Sequence, residues 1–326
     1  MSDFPNRHQL YEDLISARQE LKRSLLFLTS DETRQPGVDA EWCVLDVLSH
    51  VTGREATLFA AVRNLVNEGD PCFPDPLDER EFNLAAIRRR SGFTMAEVMD
   101  ELDSLRHQIM KYLRKLPNQA LFGAHEVRAT GEMQSIADVL NATIAHDQVH
   151  ADGIWQWRAE AGLLHLEDFR RHIVRERNEF LNAIGGMHES EMVSVETCGY
   201  WTVRDLMAHL LSWDEEIYRT VKHWTGKRDW QDGALYDDEW NESQVNARAK
   251  LDVIELADGL ATWHRRTIQY CDKAAPADLV AVARAPWGEP MALLSLLYEM
   301  AAHDAVHRLQ IETMRGGKPR GRRRRP

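Results

Sequence analysis

His146-Asp147-Gln148-Val149-His150 returns 157 positions later as His303-Asp304-Ala305-Val306-His307, with four of the five residues unchanged. A third histidine precedes each pair. Trp42-Cys43-Val44-Leu45-Asp46-Val47-Leu48-Ser49-His50 matches Trp201-Thr202-Val203-Arg204-Asp205-Leu206-Met207-Ala208-His209 at a separation of 159. Both halves read Trp-x-Val-x-Asp-x-x-x-His, a gap, then His-Asp-x-Val-His, and the gap between lone and paired histidines is 96 residues in one half and 94 in the other. With 14 histidines in 326 residues, chance alone gives only about 0.6 His-x-x-x-His matches. Two matches in the same surroundings point to a duplicated three-histidine metal site.

The chemistry follows from the spacing. Residues four apart on a helix share a face, with Cβ atoms ~5–6 Å apart, so two imidazoles converge on one ion at ~2.0–2.1 Å. The rows Val139, Thr143, His146, His150, Gly153, Trp157 and Leu296, Met300, His303, His307, Gln310, Met314 are largely apolar, which turns the histidines towards a protein interior. The lone histidine lies on rows of the same kind, Val47, His50, Leu58 and Leu206, His209, Ile217. Three neutral nitrogens leave coordination positions for water or substrate, the open geometry of a catalytic site rather than a closed structural one.

The rest of the pattern is helical. Apolar spacings of three and four predict helices over 7–28, 44–67, 78–91, 94–115 and 134–160, then over 166–184, 202–224, 237–249, 252–273 and 290–314. Thr94 with Glu97 and Thr202 with Asp205 read as N-terminal caps. Pro290 suits the first turn of the last helix, and Gly316-Gly317 closes it. A Pro-rich loop carries Pro71, Pro74 and Pro76, and Gly131-Glu132 corresponds to Gly288-Glu289. Strand signals are sparse, Leu279–Ala283 being the best. The expected fold class is all-α: two tandem four-helix bundles related by internal pseudo-twofold duplication, over residues 1–161 and 162–317, with a disordered basic tail at 318–326.

Composition narrows the function classes. A net charge of −12 argues against a nucleic-acid-binding body, and the Arg-rich tail is assigned no function. No apolar run approaches the ~18–20 residues that span a bilayer. The N-terminus lacks the apolar core of a secretory signal, and the four cysteines, Cys43, Cys72, Cys198 and Cys271, form no Cys-x-x-Cys. A cytoplasmic protein is expected.

These residues resemble the DinB-like (YfiT-type) superfamily, four-helix bundles with a histidine on the second helix and His-x-x-x-His on the fourth. Position for position, the family triad falls on His50, His146 and His150, and again on His209, His303 and His307. The Trp-rich second half, with Asp238-Glu239-Trp240-Asn241, resembles the branch that includes the colibactin self-protection proteins. The resemblance implies a divalent metal, zinc or nickel, and activities that include transfer to low-molecular-weight thiols such as bacillithiol or mycothiol, thiol-dependent isomerisation, and hydrolysis. It also implies dimer-forming domains, hence a monomer holding an internal pseudo-dimer.

Two functional readings stay open. One is a metal-dependent transferase, isomerase or hydrolase acting on an electrophilic small molecule; the other is a non-catalytic binding or self-protection protein whose metal is structural or absent. A phosphohydrolase read from His146-Asp147 leaves the second histidine of each pair unexplained, and a His-Glu-x-x-His protease lacks its glutamate. Candidates for a supporting shell are Asp46, Asp147, Asp205 and Asp304, with capping as the competing role for Asp46 and Asp205. Asn83 and Asn241, each after an aromatic residue, are pocket candidates. So are Arg54 and Trp213, one turn beyond the lone histidines, which should make the two pockets differ in charge. No catalytic residue is assigned.

Overall fold

The computed structural model describes residues 7–72, 78–126, 132–224 and 236–316. The chain divides into two compact units, Met1–Leu163 and Leu164–Pro326. It is all-α, 72% helical, and each sheet among the described residues is a two-stranded hairpin.

The first unit runs α1 (Arg7–Arg23), the hairpin β1 (Pro36–Asp39) and β2 (Trp42–Cys43), α2 (Val44–Glu68), α3 (Glu79–Arg90), α4 (Met95–Leu113), α5 (Asn118–Phe122), the hairpin β3 (Ala124–Glu126) and β4 (Met133–Ser135), and α6 (Ile136–Ala161). α1 packs on α6, and α2 on both α4 and α6. Between them Leu14, Leu21, Leu48, Leu102, Ile109 and Ile154 are fully buried, each stabilising the fold by about 1.5–3 kcal/mol.

The second unit runs α7 (Leu166–Ile184), α8 (Glu189–Met192), the hairpin β5 (Glu196–Cys198) and β6 (Trp201–Thr202), α9 (Val203–Trp224), α10 (Asp238–Ala247), α11 (Val253–Cys271), α12 (Pro276–Val280), the hairpin β7 (Val282–Arg284) and β8 (Pro290–Ala292), and α13 (Leu293–Met314). Here α7 packs on α13, and α9 on both α11 and α13, around Phe180, Leu206, Leu256, Leu260 and Ile311.

Local chemistry sets the helix ends. Ser135 and Asp138 form a reciprocal capping box at α6, as Thr94 and Glu97 do at α4. Gly69 and Gly162 take the left-handed conformation just after α2 and α6, where a side chain would be strained. None of the described helices is long and apolar enough to cross a membrane.

Three expectations change. The first helix ends at Arg23 and not near residue 28; Leu25 and Leu28 continue its apolar stripe because the following turn is also buried. Leu279 and Val280 close the short α12, and the strand begins only at Val282. Pro290 opens β8, three residues before α13, and is not in the helix. The basic tail at 318–326, Gly131, Gly317, Pro74 and Pro76 lie outside the described residues.

Candidate metal centres

Each histidine-bearing helix starts where a hairpin ends: β2 leads into α2, β4 into α6, β6 into α9 and β8 into α13. The hairpin fixes the entry of its helix and, at β2 and β6, delivers a tryptophan. The Trp42 ring lies 5.4 Å from that of His50, and Trp201 lies 4.9 Å from His209. These indoles limit how the lone imidazoles can turn.

Because α2 packs on α6, His50 meets the pair on α6. His50 Nε2 lies 2.8 Å from His146 Nε2, which lies 3.1 Å from His150 Nε2. In the second unit His303 Nε2 is 3.0 Å from His209 Nε2 and 2.9 Å from His307 Nε2. Nitrogens bound to one ion at ~2.0–2.1 Å are ~2.9 Å apart at a right angle and ~3.4 Å apart at the tetrahedral angle. These separations fall at the tight end of that range, and both triads could hold a metal ion.

The protonation states suit that use. Burial, reinforced by His150 and the Arg54 guanidinium, pushes His50 down to about 4. Burial and the two neighbouring imidazoles take His146 to about 3. Burial, then His307, takes His209 to about 3; burial also lowers His150, His303 and His307. At neutral pH the rings are uncharged and carry lone pairs. His50 Nδ1 donates to Asn83 Oδ1 at 2.7 Å, and His307 Nδ1 donates to Gln310 Oε1 at 2.7 Å. With the proton on Nδ1, the Nε2 lone pair of each ring faces the other imidazoles. Lone pairs crowded at this distance repel until a proton or a cation enters, so the donor set fits a divalent ion.

The two mouths differ. In the first unit Arg54 pairs with Glu79 at 2.5 Å and lies 6.0 Å over the Phe82 ring. In the second, Trp213 occupies the equivalent position, 6.5 Å from His209 and 6.2 Å from His303 between ring centres. Asn241 faces His209, but its Oδ1 accepts Trp213 Nε1 at 3.1 Å. His209 Nδ1 is left buried, without a hydrogen bond of good geometry among the described residues.

The four aspartates have other partners. Asp46 accepts the Cys43 N–H at 3.1 Å, and Asp205 accepts the Thr202 N–H at 3.0 Å, so both cap helices. Asp147 and Asp304 point away from the sites into buried ion pairs, since the residue after a helical ligand is about a quarter-turn round the axis. Asp147 accepts from Arg18 at 3.1 Å and from Arg106 at 3.1 Å, and both arginines also reach Glu55. Asp304 accepts from Arg177 at 2.8 Å, which also binds Asp214 at 2.6 Å. Where the first unit has Arg106, the second has His264, buried with neither ring nitrogen hydrogen-bonded among the described residues.

Sequence reasoning missed these networks. Their signal was an arginine on an otherwise apolar helix stripe, Arg18 among Leu14 and Leu21, and Arg177 among Ile173 and Phe180, again 159 residues apart.

Residues 172–311 match the family model of the DinB superfamily, a span that contains His209, His303 and His307. No curated protein and no solved structure matches the chain. Over residues 172–311 the second unit of this chain is thus similar to the DinB superfamily.

Proposed function

We propose that each triad, His50/His146/His150 and His209/His303/His307, holds one divalent ion, zinc or nickel, and that the protein is a metal-dependent enzyme acting on an electrophilic small molecule. The observation that carries this reading is the convergence of three neutral imidazoles through Nε2 in both units. When bound, such an ion lowers the pKa of water or a thiol, or polarises the substrate.

The chain's own residues supply the frame. Trp42 and Trp201 hold the lone imidazoles in place, and Asn83 and Gln310 fix the tautomers of His50 and His307. Asp147 and Asp304 are committed to arginines and take no part as a base. The reaction class that fits is therefore addition or transfer of a nucleophile acidic enough to ionise at the site, a low-molecular-weight thiol or water, without a carboxylate relay.

The test is conversion of 1-chloro-2,4-dinitrobenzene by the purified protein, with and without added cysteine, bacillithiol or glutathione. It is run before chelation, after chelation, and after zinc or nickel is restored. Conversion that falls on chelation and returns with metal supports the reading. Conversion indifferent to chelation contradicts it, and tight binding without conversion makes the protein a sequestering module.

A further inference from the structure

We propose that the second triad takes a flat aromatic substrate carrying no negative charge, held against Trp213, and that the first triad does not share this preference. The inference rests on the metal-site reading above and names the substrate class of its second site.

Trp213 is the centre of a ring cluster beside the histidines. Its ring stands nearly edge-on to His209 and His303, at 77° and 84°. Trp240, Tyr236 and Trp287 surround it at 4.9, 5.6 and 5.9 Å. These rings come from α9, from α10 and the residue shortly before it, and from the β7–β8 turn, so three separate segments converge on one side of the triad.

The cluster is anchored but not buried. Trp213 Nε1 donates to Asn241, Tyr236 Oη donates to Glu216 at 2.8 Å, and Trp287 Nε1 donates to Glu289 at 2.8 Å. With those polar handles occupied, what the rings offer a ligand is apolar face and edge. Trp213, Tyr236 and Trp240 are half-buried, and Trp287 remains 36% exposed. A cavity of about 550 Å³ opens along Tyr236 and Trp240 on the α9–α10 side and includes none of the histidines, so these two rings border open space there.

The competing reading makes these rings a small core that ties α10 to α9. The first unit argues against it. There α3 lies on α2 with Arg54 in place of Trp213 and Phe82 before Asn83 where Trp240 precedes Asn241. The architecture thus forms without the tryptophans. A core role also leaves the exposure of Trp287 without purpose, because burial is what stabilises an aromatic side chain.

Charge sets the remaining limit. Glu289 is bonded to the cluster, Glu216 is bonded both to it and to Arg219, and Asp237, Asp238 and Glu239 lie exposed beside it. An anionic ligand would be repelled, whereas a neutral or cationic ring gains stacking or cation–π attraction. At the first triad the corresponding surface is a guanidinium bound to Glu79.

The test compares two metal-chelating probes, acetohydroxamate and 2-naphthohydroxamate, by calorimetry on metal-loaded protein. His150→Ala leaves the second triad intact, and His307→Ala leaves the first. The expected result is about a ten-fold or larger preference for the naphthyl probe in His150→Ala, as one or two added ring contacts give. It should shrink when Trp213→Ala or the more conservative surface change Trp287→Ala is added, and be smaller in His307→Ala. Equal preference at the two triads, or one that survives both tryptophan substitutions, overturns the proposal.

If no variant retains metal the metal reading fails separately, and that outcome, like a metal-loaded form that binds neither hydroxamate, calls for a probe without a chelating group. Titration of the metal-free chain with 2-naphthol then decides the matter. Saturable binding lost in Trp213→Ala and Trp287→Ala upholds the aromatic site, and its absence from the unaltered chain rules it out.

Discussion

Gly53 on α2 and Ala86 on α3 meet so closely that a Cβ at residue 53 would lie 2.8 Å from the Cβ of Ala86. That approach lays α3 against α2 and sets Asn83 on His50. The second unit has Ser212 at the equivalent position, and there the matching Asn241 bonds Trp213.

Gly53→Ser should therefore push α3 outward and release the Asn83–His50 hydrogen bond. Loss of such a partner typically weakens a metal site by about 10–100-fold. Competition with a chromogenic chelator should show that loss at the first triad alone, measured in a His307→Ala background. Unchanged affinity would mean the helix contact does not position the ligand.

The buried ion pairs give a comparison between units. Among the described residues Arg177 is the one cation bonded to both Asp214 and Asp304, whereas Arg18 shares Asp147 and Glu55 with Arg106. Breaking a buried pair from one side costs about 3–5 kcal/mol. Arg177→Met should reach that range in chemical unfolding followed by circular dichroism, and Arg18→Met should cost less. His264→Arg, which rebuilds the position of Arg106, should raise the unfolding midpoint. Equal losses for the two methionine variants would contradict this account.

Acid should weaken the metal-free protein. His50 sits at about 4, and His146, His209 and His264 at about 3, against 6.5 when exposed. Below 6.5 the unfolded chain takes up protons that the folded chain refuses. Stability is therefore full above about 6.5 and declines as pH falls towards the folded values. Asp304, raised to about 6 mainly by burial, and Asp214 and Asp152, also raised by burial, act in the opposite sense but are fewer than the histidines that burial lowers. The melting temperature of chelator-treated protein should fall between pH ~8 and ~5; a flat or rising trend would refute the assignment of neutral buried rings.

Much of this was legible in the sequence because its signals are local and periodic. His146/His150 and His303/His307 announce one helix face by spacing, and the capped starts of α4 and α9 follow from Thr94–Glu97 and Thr202–Asp205. The hairpins were not legible, since strands of two to four residues are too short to show alternation. Nor were the partners of Asp147 and Asp304: Arg18 and Arg106 lie 129 and 41 residues from the first, and Arg177 lies 127 from the second. The contrast between Asn83 and Asn241 was hidden too: the same residue type at matched positions bonds differently because its helix rests on Gly53 in one unit and stands beside Ser212 and Trp213 in the other.

The most direct measurement is elemental analysis of the protein after loading with zinc or nickel and removal of free metal, run beside His150→Ala and His307→Ala. With one ion per triad, the unaltered chain should carry about two ions, each single variant about one, and the double variant none. A stoichiometry indifferent to both substitutions, or no retained metal in the unaltered chain, would contradict the assignment of these histidines as ligands.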